Sequence, residues 1–70
     1  MHVTHDPEAP AAYLRLVPIA PGAAVRQLLV EDTTGDLVLD FDAEGRLLGI
    51  ELLAPEHQLH PALRPVPGRT

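Results

Sequence analysis

Residues 37–53 read LVLDFDAEGRLLGIELL, two apolar-rich runs joined by a short acidic link that contains Gly45. Runs of this length, rich in Leu, Val, Ile and Phe and separated by a glycine-containing turn, are typical of a β-hairpin. The sequence therefore predicts a central hairpin over residues 37–53, and the other segments are placed relative to it.

Two rules give different registers for this hairpin. The alternation of apolar residues sets Phe41 opposite Leu48 and leaves a two-residue loop. Turn chemistry instead favours a type I turn over residues 42–45 with Gly45 as a left-handed bulge, which sets Phe41 opposite Leu47. The sequence leaves both registers open.

Further strands and a short helix are predicted around the hairpin. Pro55 suits the first position of a helix, and Pro61 limits that helix to about two turns. The fold class is therefore α+β, a small, mostly antiparallel β-sheet of four or five short strands with a short C-terminal helix. The additional strands are predicted within residues 3–5, 12–17 and 25–31.

The length of 70 residues allows one domain, which we expect over residues 1–60, followed by a flexible proline-rich tail over residues 61–70. A chain this short buries only about 60% of the surface that its unfolded form exposes, so the core is thin. The sequence contains no cysteine, which excludes disulfides and thiolate zinc sites. Oligomerisation or a metal is the remaining way to supplement such a core.

Charge and hydropathy exclude several classes of protein. The net charge is −5, which argues against nucleic-acid binding because that binding depends on contacts with phosphates. No apolar run approaches the length of about 18–20 residues that spans a bilayer. The N-terminal segment MHVTHDPE lacks the basic and apolar parts of a signal peptide, so we expect a cytoplasmic protein.

Three segments carry a family resemblance: residues 6–9 (DPEA), 13–16 (YLRL) and above all 40–53 (DFDAEGRLLGIELL). Together they resemble the bacterial domain-of-unknown-function family 2283 over roughly residues 3–58. The resemblance implies a small antiparallel sheet with a short C-terminal helix. It implies no established activity and therefore transfers no functional residues.

The acidic turn is a candidate metal site because its carboxylates, with Gly45, match the spacing of a calcium-binding helix-loop-helix loop. Such a loop needs flanking helices, whereas both flanks here have the composition of strands. In a hairpin the first and last carboxylates are about 7–10 Å apart along the strands, too far for one calcium ion. We therefore favour an ordinary acidic turn, with an ion pair between Asp42 and Arg46, over a site formed by Asp40, Asp42, Glu44 and Glu51.

Four histidines form two His-x-x-His pairs, His2/His5 and His57/His60. On a helix, His57 and His60 would share a face and could form half of a zinc or nickel site. In an extended segment, His2 and His5 point to opposite faces. His57 and His60 are therefore the metal candidates, although solvent-exposed histidines without a ligand are the favoured interpretation, and no cofactor is predicted.

Catalysis has few groups available, since the chain contains no Ser, Cys or Lys and so lacks the commonest covalent nucleophiles. Asp40 and Asp42, two apart on a strand, would lie about 7 Å apart on one face and could in principle act as an acid–base pair. A chain this thin offers no deep pocket to exclude water. We therefore expect a non-enzymatic protein.

Several residues are candidates for packing or for an interface. Gly49 interrupts an apolar strand, which indicates close approach by Tyr13, the helix or a partner subunit. Leu47 and Leu53 add apolar surface to the second face of that strand, and Tyr13 and Phe41 are the only aromatic residues. The leading hypothesis is a self-associating protein-interaction module, a homodimer that could bind a basic protein. The alternative is a metal- or small-ligand-binding module that uses the acidic turn or the histidine pairs.

Overall fold

The computed structural model describes residues 2–5 and 11–63, and these residues form a five-stranded antiparallel sheet, a short helix and a 3-10 turn. The predicted fold class, a small and mostly antiparallel α+β domain, is confirmed. The strands lie in the order β1-β2-β5-β4-β3 across the sheet. The elements are β1 (His2–His5), β2 (Ala12–Arg15), β3 (Arg26–Val30), β4 (Leu37–Phe41), β5 (Leu47–Leu52), α1 (Pro55–Gln58) and a 3-10 turn at Pro61–Leu63.

The predicted hairpin over residues 37–53 is present as β4 and β5, and β5 is the middle strand of the sheet. β2 pairs with the other side of β5, and β1 pairs with β2. The chain therefore crosses, between residues 15 and 26, from β2 to the far edge, where β3 pairs only with β4 in the described sheet.

Both predicted registers occur in the hairpin, and a β-bulge divides them. Along most of its length Leu39 lies opposite Ile50, as the apolar pattern requires. At the tip Phe41 lies opposite Leu47, as the turn chemistry requires, because the register shifts between Asp40 and Phe41. Gly45 has a φ of +78°, and its N–H bonds to the carbonyl of Asp42 at 3.0 Å. The bulge accommodates the extra residue that separates the two rules.

One face of the sheet carries the apolar core. Its centre is formed by Leu14, Leu52 and Leu59, with Val3, Leu37 and Ile50 packed against them. Directly opposed residues form an apolar row across all five strands: Val3, Leu14, Ile50, Leu39 and Leu28. We call this side the apolar face. The opposite side, which carries Tyr13, Gly49, Asp40 and Gln27, is the polar face.

α1 begins at Pro55 as predicted, but it makes one turn instead of about two. Leu59 leaves the helix in an extended conformation and enters the core with only 6% of its surface exposed. Gln58 fixes the helix to the turn before β4: its Oε1 accepts from the N–H of Ala54, and its Nε2 donates to the carbonyl of Asp36, both at 2.9 Å. Pro55, at the start of the helix, is also buried, so both ends of the helix contact the rest of the domain.

Among residues 2–5 and 11–63, no helix is long and apolar enough to cross a membrane. Of the predicted flexible tail over residues 61–70, the first three residues form the 3-10 turn, and residues 64–70 lie outside the described residues.

Candidate functional site

A hydrogen-bonded polar network lies on the polar face and joins three strands. The hydroxyl of Tyr13, from β2, donates to Oδ2 of Asp40 in β4 at 2.8 Å. Nε2 of Gln27, from β3, donates to Oδ1 of the same carboxylate at 2.9 Å. Asp40 is the buried charged residue among the described side chains, and each of its oxygens has a donor. Buried carboxylates are stable when hydrogen-bonded in this way.

Gly49 makes this network possible. In the register of the sheet it lies between Arg15 in β2 and Asp40 in β4. A Cβ at position 49 would lie 2.6 Å from Cζ of Tyr13 and 2.8 Å from the carbonyl oxygen of Leu14, both too close for any side chain. The Tyr13 ring therefore occupies the space above the glycine and reaches across β5 to Asp40.

The environment of Tyr13 keeps its hydroxyl protonated. Burial, the hydrogen bond to Asp40 and the charge of that carboxylate together raise the pKa of Tyr13 to about 12. At neutral pH the hydroxyl is therefore a hydrogen-bond donor and not a base. The arrangement ties β2 and β4 together across β5.

An open cleft of about 390 Å³ lies beside this network. Tyr13, Arg15 and Asp40 form its floor on the sheet, and the segment between β2 and β3 forms its wall. That connecting segment therefore passes over the polar face. The wall residues are Ile19, Ala20, Pro21, Gly22 and Ala24.

The acidic turn uses its carboxylates internally. Oδ1 of Asp42 accepts from the backbone N–H groups of Glu44 and Arg46, both at 2.9 Å, and Oδ2 pairs with Nε of Arg46 at 3.0 Å. The backbone hydrogen bond from Arg46 is the largest cause that lowers the pKa of Asp42. Arg46 also contacts Glu44 at 2.6 Å. The predicted Asp42–Arg46 pair is confirmed, and the turn is closed by its own side chains.

The four predicted acidic residues do not converge on one site. Asp40 is in the polar network, whereas Asp42 and Glu44 are paired with Arg46. Glu51 lies opposite Tyr13, two positions along β5 from Gly49, the residue that faces Asp40. Strands flank this turn where a calcium-binding loop needs helices. Within the described residues, no group of three or more His, Asp or Glu side chains could hold a metal ion.

The histidine pairs give no shared helical face. α1 ends at Gln58, so His57 lies in the helix and His60 lies beyond it. Nδ1 of His60 accepts from the backbone N–H of Ala62 at 3.1 Å. The expectation that one helix presents both imidazoles was wrong, because the chain becomes extended at Leu59 to bury that side chain. His2 and His5 both belong to β1.

The residues predicted for packing or an interface are dispersed. Phe41 lies beneath the guanidinium of Arg26, whose Cζ is 4.3 Å from the ring centroid. Leu47 and Leu53 are exposed at opposite ends of β5. Gly49, between them, is covered by Tyr13 of the same chain. The second face of β5 is therefore partly covered from within the chain.

Sequence reasoning missed the most exposed apolar strand. We define the β3 edge as Val25, Leu28 and Leu29, which are 62%, 46% and 55% exposed. Leu28 lies on the apolar face beside Leu39, and Leu29 lies on the polar face beside Val38. The adjacent leucines were visible in the sequence, but their exposure follows from the position of β3 at the end of the sheet.

Comparisons with known proteins identify a family and assign no role to these features. No curated protein and no solved structure matches the chain in the corresponding comparisons. A family model described as "protein of unknown function (DUF2283)" matches residues 2–54. Because this match covers well over half of the 70 residues, the chain belongs to that family of proteins of unknown function.

Proposed function

We propose that the protein is a non-enzymatic protein-interaction module that self-associates through the β3 edge. The observation that carries this proposal is the exposure of apolar side chains on both faces of an edge strand. An edge strand also offers backbone N–H and C=O groups for pairing with another strand. Such pairing combines backbone hydrogen bonds with side-chain contacts and is a recurring mode of protein recognition.

The thin core gives a second reason for self-association. Leu14, Leu52 and Leu59 form the buried apolar cluster of the described residues, and the residues packed against it, Val3, Leu37 and Ile50, include none from β3. Leu28 lies in the same row of the sheet as Leu14 but is 46% exposed. A second copy paired at β3 would extend the sheet and reduce that exposure. The net charge of −5 leaves the assembled module suited to a basic protein partner.

The mass of the untagged protein by sedimentation equilibrium tests this proposal. We expect a dimer for the wild type and a folded monomer for Leu29→Arg, because a charge at the interface would have to be desolvated on pairing. Leu53→Arg is the matched control, since it changes an exposed leucine at the end of β5, and it should remain a dimer.

Two outcomes would contradict the proposal. A wild type that stays monomeric throughout the concentration range would eliminate self-association. If Leu53→Arg is a monomer and Leu29→Arg is a dimer, the interface lies at Leu53, at the end of β5, and not at the β3 edge. Repeating the measurement with a chelator and with added zinc tests metal-dependent assembly.

A second candidate function, binding of a small ligand, is favoured by the cleft beside the polar network. Both oxygens of Asp40 already have donors, so the charged group at the floor best suited to a ligand is Arg15, which favours a small anion. Titration with acetate, followed by amide chemical shifts, tests this candidate. Saturable shifts around the cleft that vanish in Arg15→Ala would support it, and equal weak shifts in both proteins would reject it.

A further inference from the structure

We propose that two copies of the chain pair β3 with β3 in one register, antiparallel and centred on Leu29. This inference rests on the proposed function and adds the identity of the partner strand and its alignment. A two-fold axis perpendicular to the sheet relates antiparallel edge strands of identical chains. Such an axis keeps the apolar face of one copy on the same side as that of the other.

This symmetry limits the registers. Directly opposed residues of antiparallel strands lie on the same face. Residues of β3 on the apolar face can therefore oppose only residues on the same face of the second copy. The two-fold axis must then lie between a residue and its own copy, so that one residue of β3 directly faces itself. Leu28 and Leu29 are the exposed apolar residues of β3, so we compare the centres at these two residues.

A centre at Leu29 places complementary side chains opposite one another. Leu29 then faces its own copy on the polar face, and Leu28 faces Val30 of the second copy on the apolar face. Two residues further along, Arg26 comes opposite Asp32 of the second copy, which follows the end of β3 at Val30. The two-fold axis duplicates each contact, which gives two apolar pairs and two ion pairs around the central leucines.

A centre at Leu28 gives poorer pairs. Arg26 would then face Val30 of the second copy, and Gln27 would face Leu29. Val25, the most exposed apolar side chain here, would face Glu31. The charges have no opposed partners in this register, and three apolar side chains face polar ones, so we favour the centre at Leu29.

The local geometry of the charged pair is compatible with this register. The guanidinium of Arg26 already lies at β3, over the ring of Phe41, and the side chain is exposed. Asp32 is also exposed, and its Oδ2 accepts from the N–H of Thr34 at 2.9 Å. A carboxylate can accept several hydrogen bonds, so the turn contact leaves capacity for a guanidinium.

Cysteine cross-linking tests the register, and the absence of native cysteine makes it selective. At a two-fold centre, equivalent residues are directly opposed and within the Cα separation that a disulfide accepts. In the proposed register the two copies of residue 28 are diagonal neighbours, about 7–8 Å apart and beyond the usual disulfide range. We expect Leu29→Cys to form disulfide-linked dimers at least about tenfold faster than Leu28→Cys under the same mild oxidation.

Val17→Cys, an exposed position remote from β3 in sequence, gives the rate of collisional cross-linking, and circular dichroism verifies that each variant is folded. Faster cross-linking of Leu28→Cys would overturn the register while preserving edge pairing. Variants that stay dimeric in sedimentation but cross-link no faster than Val17→Cys would place the interface elsewhere. A monomeric wild type would overturn the proposed function itself, which keeps the two failures distinct.

Discussion

The β2 and β3 positions of the apolar row differ in burial although both are leucines. Leu14, near β1, is buried, whereas Leu28, at the far edge in β3, is 46% exposed. The difference comes from Leu59, which follows the single turn of α1 and packs on the β2–β5 part of the sheet. In a small sheet, the length of the covering segment therefore decides which strands are buried and which remain open to a partner.

The largest expected effect on stability is at Leu59, which covers the β2–β5 part of the sheet. Leu59→Ala removes most of a side chain that is 6% exposed at the centre of the core. We expect a loss of about 2–5 kcal/mol in the free energy of unfolding, from lost burial and an unfilled cavity. Urea unfolding at low protein concentration measures it. A loss within about 0.5 kcal/mol of zero, the usual range for surface changes, would show that the helix segment does not cover the sheet.

The next largest effect on stability is expected at Gly49, on the polar face. Gly49→Ala places a Cβ against the ring of Tyr13 and the carbonyl of Leu14, so the backbone must shift. We expect a loss of about 1–3 kcal/mol in the free energy of unfolding. In a Tyr13→Ala background the same substitution should cost less, since only the contact with the Leu14 carbonyl remains. Equal costs in both backgrounds would show that the ring does not lie over Gly49.

A smaller effect should appear as a pH dependence of stability. The pKa of Tyr13 is about 12 in the folded protein and 10.0 for the free side chain, so the folded state holds the proton more tightly. The stabilisation is complete below pH 10 and is lost as the pH rises from 10 to 12. The two pKa values differ by about 2.7 kcal/mol in free energy, and the partial exposure of Tyr13 reduces the expected loss to about 1–2 kcal/mol.

Urea unfolding across this pH range, compared with Tyr13→Phe, measures that loss. The chain has one tyrosine and no lysine, so the comparison isolates a single side chain. The variant should show a flat profile between pH 10 and 12, and tyrosinate absorbance gives the pKa directly. A wild-type pKa near 10 would mean that the bond to Asp40 does not persist in solution.

The features of this fold that could be predicted from the sequence depend on local chemistry. The type I turn follows from residues 42–45, and the start of α1 follows from Pro55. The hairpin register follows from two rules, the apolar alternation and the turn chemistry. The turn chemistry holds between the bulge and the tip, and the alternation holds along the rest of the hairpin, because turn geometry acts only near the tip.

The rest depends on pairing between distant segments. The position of β3 at the far edge follows from β2 pairing with β5, which no local pattern encodes. Asp40 and Tyr13 are 27 residues apart, and an acidic residue on an alternating strand normally indicates a solvated face. Leu59 follows a helix too short for an apolar periodicity, so its burial had no sequence pattern to indicate it.

The smallest expected effect on stability is at Leu28, in the exposed strand β3. It tests the contrast in burial between Leu28 and Leu59. Leu28→Ala removes the same atoms from a side chain that is 46% exposed, so the isolated chain should lose no more than about 1 kcal/mol. If the β3 edge is a homodimer interface, this cost should grow with protein concentration, because dimerisation stabilises the wild type by mass action. The cost of Leu59→Ala should change less, since its contacts lie within one chain. Urea unfolding at several concentrations separates the two, and a concentration-independent cost for Leu28→Ala would mean that the edge is solvated and unpaired.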